Sequence, residues 1–338
     1  MNRIFLSFTF VIIFSSACFT FIFAAPSKAP VVICLTGTCS SGKSTLIQSL
    51  TLLRDDIEIV DEDTLVHEAY PRAIAQKFPL EYACITQAVD KENIYHSLRT
   101  KDVLFKKTTT QKERLNAAQA IRDIQKELNL SRNLHWKQEV SQNISKEVLH
   151  KIQLALEKKK NVILDAWYVK GDHVQAQFPE TPISRVLLYC SLPTAFQRLL
   201  KRNDEAIAQG NLKEKRFIGQ LAGSFCSLYQ INKQPLQPPI QYIDRQALDQ
   251  TFSAMLQMLP DKDSPKSIFT LKELSQSQLQ SIKTHFMQPF EEGSSETFYI
   301  CPKEKQDLII DNTSLDVQKA VRSIEEIIGN EREVKIQF

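Results

Sequence analysis

The chain has 338 residues, 43% of them hydrophobic and 24% charged, an ordinary globular composition with enough apolar mass for one large domain or two. A formal charge of +3 is weak and the longest block of like charge is Lys158-Lys159-Lys160, so no nucleic-acid partner is indicated. Seven cysteines at irregular spacing match no disulfide framework, zinc ribbon or C-x-x-C redox pair, and most of them read as buried thiols.

Ile4 through Ala25 is almost wholly apolar, preceded by Arg3 and followed by Pro26-Ser27-Lys28. Residues 1–29 are therefore expected to form a secretory signal peptide or an uncleaved membrane anchor, which makes the chain exported or membrane-anchored. Membrane contact is expected only if residues 4–25 are retained as an anchor.

The apolar run Val31-Val32-Ile33-Cys34-Leu35 predicts a strand. Directly after it, Gly37-Thr38-Cys39-Ser40-Ser41-Gly42-Lys43-Ser44 fits G-x-x-x-x-G-K-[ST] in full. With eight glycines in the whole chain, chance supplies this pattern only roughly a few times in a thousand. Two glycines let the backbone curl with its amides inward at a helix N-terminus, making an anion nest. The nucleotide-binding candidates are Gly37, Thr38, Cys39, Ser40, Ser41, Gly42, Lys43, Ser44 and Thr45, with Lys43 reaching the β- and γ-phosphates and Ser44 offering a hydroxyl to Mg²⁺. Thr45 to Leu50 has the apolar spacing of the helix that should follow. A nucleotide requirement sits uneasily with export, because secreted compartments generally favour disulfides and lack nucleotide.

Ile57-Glu58-Ile59-Val60 predicts a second strand ending at Asp61, where open parallel sheets bind ligands; this carboxylate is a candidate proton acceptor. Asp63 followed by Thr64 reads as a helix N-cap. Residues from about 64 to 160 are polar and mainly helical, with Val140, Ile144, Val148, Ile152 and Leu156 four apart along one face. Asn161-Val162-Ile163-Leu164-Asp165 is a further strand whose terminal Asp165 suits a second Mg²⁺ position opposite Ser44. Ala166 follows where many ATP-hydrolysing motors carry a glutamate, and Asn232-Lys233-Gln234-Pro235 fails the aspartate of a guanine-binding segment. A motor and a GTPase switch are both disfavoured.

Arg185 to Cys190 predicts a fourth strand, and a helix from about Thr194 to Asn203 carries Arg198 and Arg202 four apart on one face. With Lys213, Lys215 and Arg216 they suit a lid that offsets charge on a transferring phosphoryl group. Residues 231–300 show no repeat or motif. The alternating pattern returns at Asp307-Leu308-Ile309-Ile310-Asp311-Asn312-Thr313, followed by a helix with Val317, Ala320, Val321, Ile324 and Ile327 on one face. Asn312-Thr313-Ser314 also fits the short glycosylation pattern, which arises readily by chance.

Gly37 to Thr45, the Val60-Asp61 step, Val162 to Asp165 and Leu187 to Asn203 resemble the chloramphenicol phosphotransferase-like branch of the P-loop kinases, over about half the chain. That resemblance implies a three-layer α/β P-loop fold: a five-stranded parallel sheet with the phosphate-loop strand at its centre and helices on both faces. It implies Mg-ATP as donor, a small-molecule hydroxyl as acceptor, Asp61 as the proton-accepting aspartate, and Arg198 with Arg202 as lid arginines. Asp61-Glu62-Asp63 and Tyr70-Pro71-Arg72 are also similar to zeta-toxin kinases, which phosphorylate nucleotide sugars. The expected organisation is one kinase-like domain over 30–338, with insertions at about 64–160 and 231–300. The expected function is ATP- and Mg²⁺-dependent phosphoryl transfer to a hydroxyl of a small-molecule or nucleotide-like acceptor. The alternatives are a nucleotide-binding protein without transfer activity, exported or membrane-tethered, and a nucleotide-sugar kinase. Oligomeric state has no signature in the sequence.

Overall fold

In the computed structural model the described residues are 29–99, 103–130, 134–166, 170–209, 217–234, 241–259, 274–290 and 298–330. The chain opens with β1 (Val32–Thr36), α1 (Lys43–Leu53) and β2 (Ile57–Asp61), then runs through α2 (Glu62–Lys77), α3 (Pro79–Ala88), α4 (Lys91–Arg99), α5 (Gln111–Leu130) and α6 (Leu134–Glu157). There follow β3 (Asn161–Asp165), α7 (Gly171–Gln177), β4 (Ile183–Tyr189), α8 (Leu192–Ala208), α9 (Ile218–Leu228), β5 (Tyr229–Asn232) and β6 (Gln241–Tyr242). The last elements are α10 (Arg245–Met258), α11 (Gln276–Met287), β7 (Tyr299–Pro302), β8 (Leu308–Asp311) and α12 (Val317–Asn330).

β2, β3, β1, β4 and β8 form a five-stranded parallel sheet in that order, with β1 at its centre. A strand paired on both edges and covered on both faces reads as a continuous apolar run, which is why Val31 to Leu35 carries no polar residue. Side chains alternate across it. Val32 and Cys34 join Val162 and Leu164 under α2 to α6, while Ile33 and Leu35 join Ile163, Val186 and Leu188 under α1 and α12. Helices thus cover both faces, a three-layer architecture of the P-loop nucleotide-binding type.

The four-residue spacing read along α6 is its buried face: Val140, Ile144, Val148 and Ile152 all lie in the core beside α2. The region without sequence motifs is ordered where it is described. β5, β7 and β6 make a three-stranded antiparallel sheet, and with α8 to α11 they share with Leu187 and Tyr189 of β4 a core around Phe225, Tyr229, Phe252 and Phe286.

None of the six described cysteines is in a disulfide. Burial pushes the Cys34 and Cys226 thiols up to about 12. Cys190 is pushed up to about 11 by burial, against the opposing charge of Arg198.

The expected localisation is corrected. Among the described residues no helix is long and apolar enough to cross a membrane. Residues 1–28, on which a signal peptide or anchor was expected, lie outside the described residues, so the expectation has no observed helix to rest on and is not carried further.

Ile152→Ala should lower unfolding free energy by about 2–5 kcal/mol, because it empties a fully enclosed site between α6 and the sheet. Leu154→Ala, on the solvent side of the same helix, should cost far less. Denaturant titration of both variants checks this, and equal losses would contradict the packing described.

Candidate functional site

The carboxyl ends of β2, β3 and β1 lie side by side, and Asp61 pairs in register with Asp165, which stands beside Leu35. This edge is where open parallel sheets take ligands. From it the chain curls through Gly37 to Gly42 before α1 begins. A Cβ on Gly37 would lie 2.7 Å from the Leu188 carbonyl oxygen and 2.7 Å from Ser41 Oγ. At Gly42, whose φ is +99°, it would lie 2.4 Å from Asn312 Nδ2. Ser40 is also left-handed, at φ 66°, and the turn closes where the Ser41 N–H donates to the Thr38 carbonyl at 3.2 Å. Left-handed residues in such a curl turn successive amides the same way, which makes a nest.

α1 starts without a side-chain cap and without an acidic residue in its first turn. The hydroxyl oxygens of Thr38, Ser40 and Ser41 are buried and have no hydrogen-bond partner among the described residues. Native proteins rarely leave such groups unsatisfied. Helix-terminal amides and hydroxyls can all donate, a set to which an oxyanion is complementary.

Lys43 folds back over the loop, its Nζ donating to the Gly37 carbonyl at 2.9 Å and standing 3.9 Å from Asp165 Oδ1. Burial holds the Asp165 carboxyl above the usual carboxylate range; Lys43 opposes that rise, and the charges of Asp61 and Asp63 add to it. Ser44 and Thr45 are exposed in the first turn of α1.

Asp61 caps α2. Its Oδ1 accepts from the Asp63 N–H at 3.0 Å and its Oδ2 from the Thr64 hydroxyl at 2.5 Å. The expectation that Asp63 caps this helix is corrected, because α2 begins directly at the end of β2 and places the cap two residues earlier.

Arg198 lies on α8, with Nη2 donating to the carbonyls of Asn312 at 2.9 Å and Thr313 at 2.8 Å and Nη1 standing 3.3 Å from Cys190 Sγ. It fastens the loop after β8, where sequence alone expected a lid arginine. Arg202 is half-buried one turn further along the same helix. Lys213, Lys215 and Arg216 lie outside the described residues.

Sequence reading missed Asn312 as a site residue. It is 2% exposed, and its Nδ2 donates to the Ser41 carbonyl at 2.8 Å. An amide so buried and engaged is not presented for glycosylation. The available signal was a polar triplet, Asp311-Asn312-Thr313, directly after an apolar strand on the ligand edge of a parallel sheet.

No protein family and no curated protein matches this chain. In structure it is similar to the Pnkp1/Rnl/Hen1 RNA repair complex, at 13% identity and a TM-score of 0.26, over 91% of this chain and 87% of that one. A likeness at that level assigns neither family nor activity. The expectation of no nucleic-acid partner is corrected on the sequence itself, since it was read from a weak net charge. A charge of +3 is the difference of 42 cationic and 39 anionic residues and says nothing of how they are distributed, so it excludes no nucleic-acid partner.

Because burial favours protonated Asp165 in the folded chain, its cost to stability is absent below the ordinary carboxylate range and grows as pH rises through its raised pKa. Asp165→Asn should therefore raise the unfolding midpoint near neutral pH, with a gain that shrinks toward acid. Melting curves from about pH 4 to about pH 8 check this. A variant no more stable than the parent at neutral pH would contradict the burial account.

Proposed function

We propose that the chain is an ATP- and Mg²⁺-dependent phosphotransferase acting on a hydroxyl of a small-molecule or nucleotide-like acceptor. The observation that carries this reading is the concentration of unsatisfied donors on one loop: an uncapped helix start beside three buried, unpartnered hydroxyls, with Lys43 folded over them. A polyphosphate matches that donor set in charge and in acceptor chemistry. The resemblance to the chloramphenicol phosphotransferase-like kinases supports a small-molecule hydroxyl as acceptor, and the similarity to zeta-toxin kinases a nucleotide-like one.

The loop amides from Gly37 to Ser44 hold the phosphates, and Lys43 exchanges its bond to the Gly37 carbonyl for phosphate oxygens. Ser44 and Asp165 are the residues to hold the metal. Among the described residues no group of three or more His, Cys, Asp or Glu side chains is arranged to bind one, so a bound Mg²⁺ would take phosphate oxygens and water for the rest of its shell. When bound, Mg²⁺ offsets negative charge on the phosphates.

Asp61 accepts the proton of the attacking hydroxyl. Capping α2 does not preclude this, because each carboxylate oxygen has a second lone pair and the two cap bonds fix the direction of the group. Arg202 offsets charge on the transferring group, while Arg198 contributes through the loop that it fastens.

The full chain should bind Mg-ATP, and Lys43→Ala should abolish that binding; unchanged affinity in the variant, measured by calorimetry, would remove the site assignment. With the acceptor identified by mass from incubation of labelled ATP with a metabolite extract, Asp61→Asn should keep ATP binding and slow transfer about 10²- to 10⁴-fold. Full transfer by that variant would rule out Asp61 as the proton acceptor.

A further inference from the structure

We infer that Asn312 is a positioning residue of the phosphate loop: from the far end of the chain its side-chain amide sets the Ser41–Gly42 peptide and so aims the Gly42 N–H at the bound phosphate. The inference rests on the nucleotide reading above and adds a residue to it.

A trans peptide is planar, with its C=O and the following N–H pointing in opposite directions. Asn312 Nδ2 holds the Ser41 carbonyl at 2.8 Å, so the Gly42 N–H is directed away from Asn312. The amide orientation is chemically determined, since a carbonyl oxygen can only accept and the nitrogen must face it. Unpinned, this peptide could rotate and present a carbonyl oxygen to the phosphate in place of a donor.

The pin is itself held on several sides. The Asn312 N–H donates to the Tyr189 carbonyl at 2.9 Å, and its own carbonyl accepts from Arg198 at 2.9 Å and from the Leu315 N–H at 3.1 Å. The next residue is tied as well, with Thr313 Oγ1 accepting from the Ser191 N–H at 3.2 Å and the Thr313 N–H donating to Asp311 Oδ1 at 2.9 Å. Asn312 approaches so closely that position 42 tolerates no Cβ.

Packing alone does not account for an asparagine here. Its Oδ1 is buried without a partner among the described residues, a cost that an apolar side chain of similar size would not incur. What asparagine supplies and such a residue lacks is a directed donor at Ser41.

The test measures Mg-ATP and Mg-tripolyphosphate affinity of the full chain for Asn312→Ala, Asn312→Asp and Asn312→Ser, with Lys43→Ala in parallel. Asn312→Ala should weaken both ligands by about tenfold or more, by the same factor, because the lost contact concerns phosphate and not base or ribose. Asn312→Asp should be worse, since a carboxylate then faces a carbonyl oxygen. Asn312→Ser, the mildest change, should keep the ligand-free unfolding midpoint near that of the parent and still lose affinity, which secures the result if the other two fold poorly. Affinity within twofold of the parent in a folded Asn312 variant, or a loss seen with ATP and absent with tripolyphosphate, would overturn the inference. If Lys43→Ala abolishes ATP binding while the Asn312 variants retain it, this inference alone fails. If Lys43→Ala also binds normally, the nucleotide reading beneath it fails too.

Discussion

Two close approaches shape the head of the sheet: the Leu188 carbonyl against Gly37 and the Asn312 amide against Gly42, each nearer than a Cβ would permit. They clamp the Gly37–Gly42 loop between β4 on one side and the turn after β8 on the other. The clamp follows from strand order. With β1 at the centre and β4 then β8 beyond it, the loop leaving β1 lies against those neighbours' carboxyl ends. The glycines are thus required twice, by the curl itself and by what leans on it.

The electrostatics at this edge run against stability. Asp61 and Asp165 are brought together by register, Asp63 adds a third carboxylate, and Lys43 is the cation that the structure sets against Asp165. Buried hydroxyls without partners and a helix start without a cap stand beside them. A cation placed among the carboxylates and an oxyanion placed in the loop would relieve all of these at once, and that shared complement is the physical content of a metal–polyphosphate site. Groups that cost stability and converge on one ligand chemistry are a stronger sign of function than any one of them.

The sheet was legible because parallel strands buried on both faces are unmistakable apolar runs, and four of the five end in or next to a residue chemistry can use: Gly37, Asp61, Asp165 and Asp311. α6 was legible from its unbroken four-residue spacing. The antiparallel lobe was not, because β5 and β7 have four residues each and β6 two, too few for alternation to register, and their pairing is non-local. One signal there was available: Ser275 with Gln278 is a capping box that announces α11. At α2 the cap read as Asp63 is Asp61, a two-residue shift that composition does not resolve. Arg198 shows a different limit. Its charge and helical face were plain, but the carbonyls that engage it lie 114 and 115 residues away.

The same separation gives the fold its order of dependence. Ser41 and Asn312 are 271 residues apart, so the Gly37–Gly42 loop has this contact only when β8 has docked. Among the described residues β8 is an edge strand, held on one side by β4. Its entry is tied where the Asp307 N–H donates to the Arg185 carbonyl at 2.9 Å and the Arg185 N–H to Asp307 Oδ2 at 2.7 Å, and its exit by Arg198 and Asn312. Edge strands open at lower free energy than central ones. Loosening β8 would therefore release the Ser41 peptide while β3, β1 and β4 stay paired, and a ligand that requires that peptide in place must in turn stabilise β8. A ligand bound at that loop would thus be linked thermodynamically to the docking of β8.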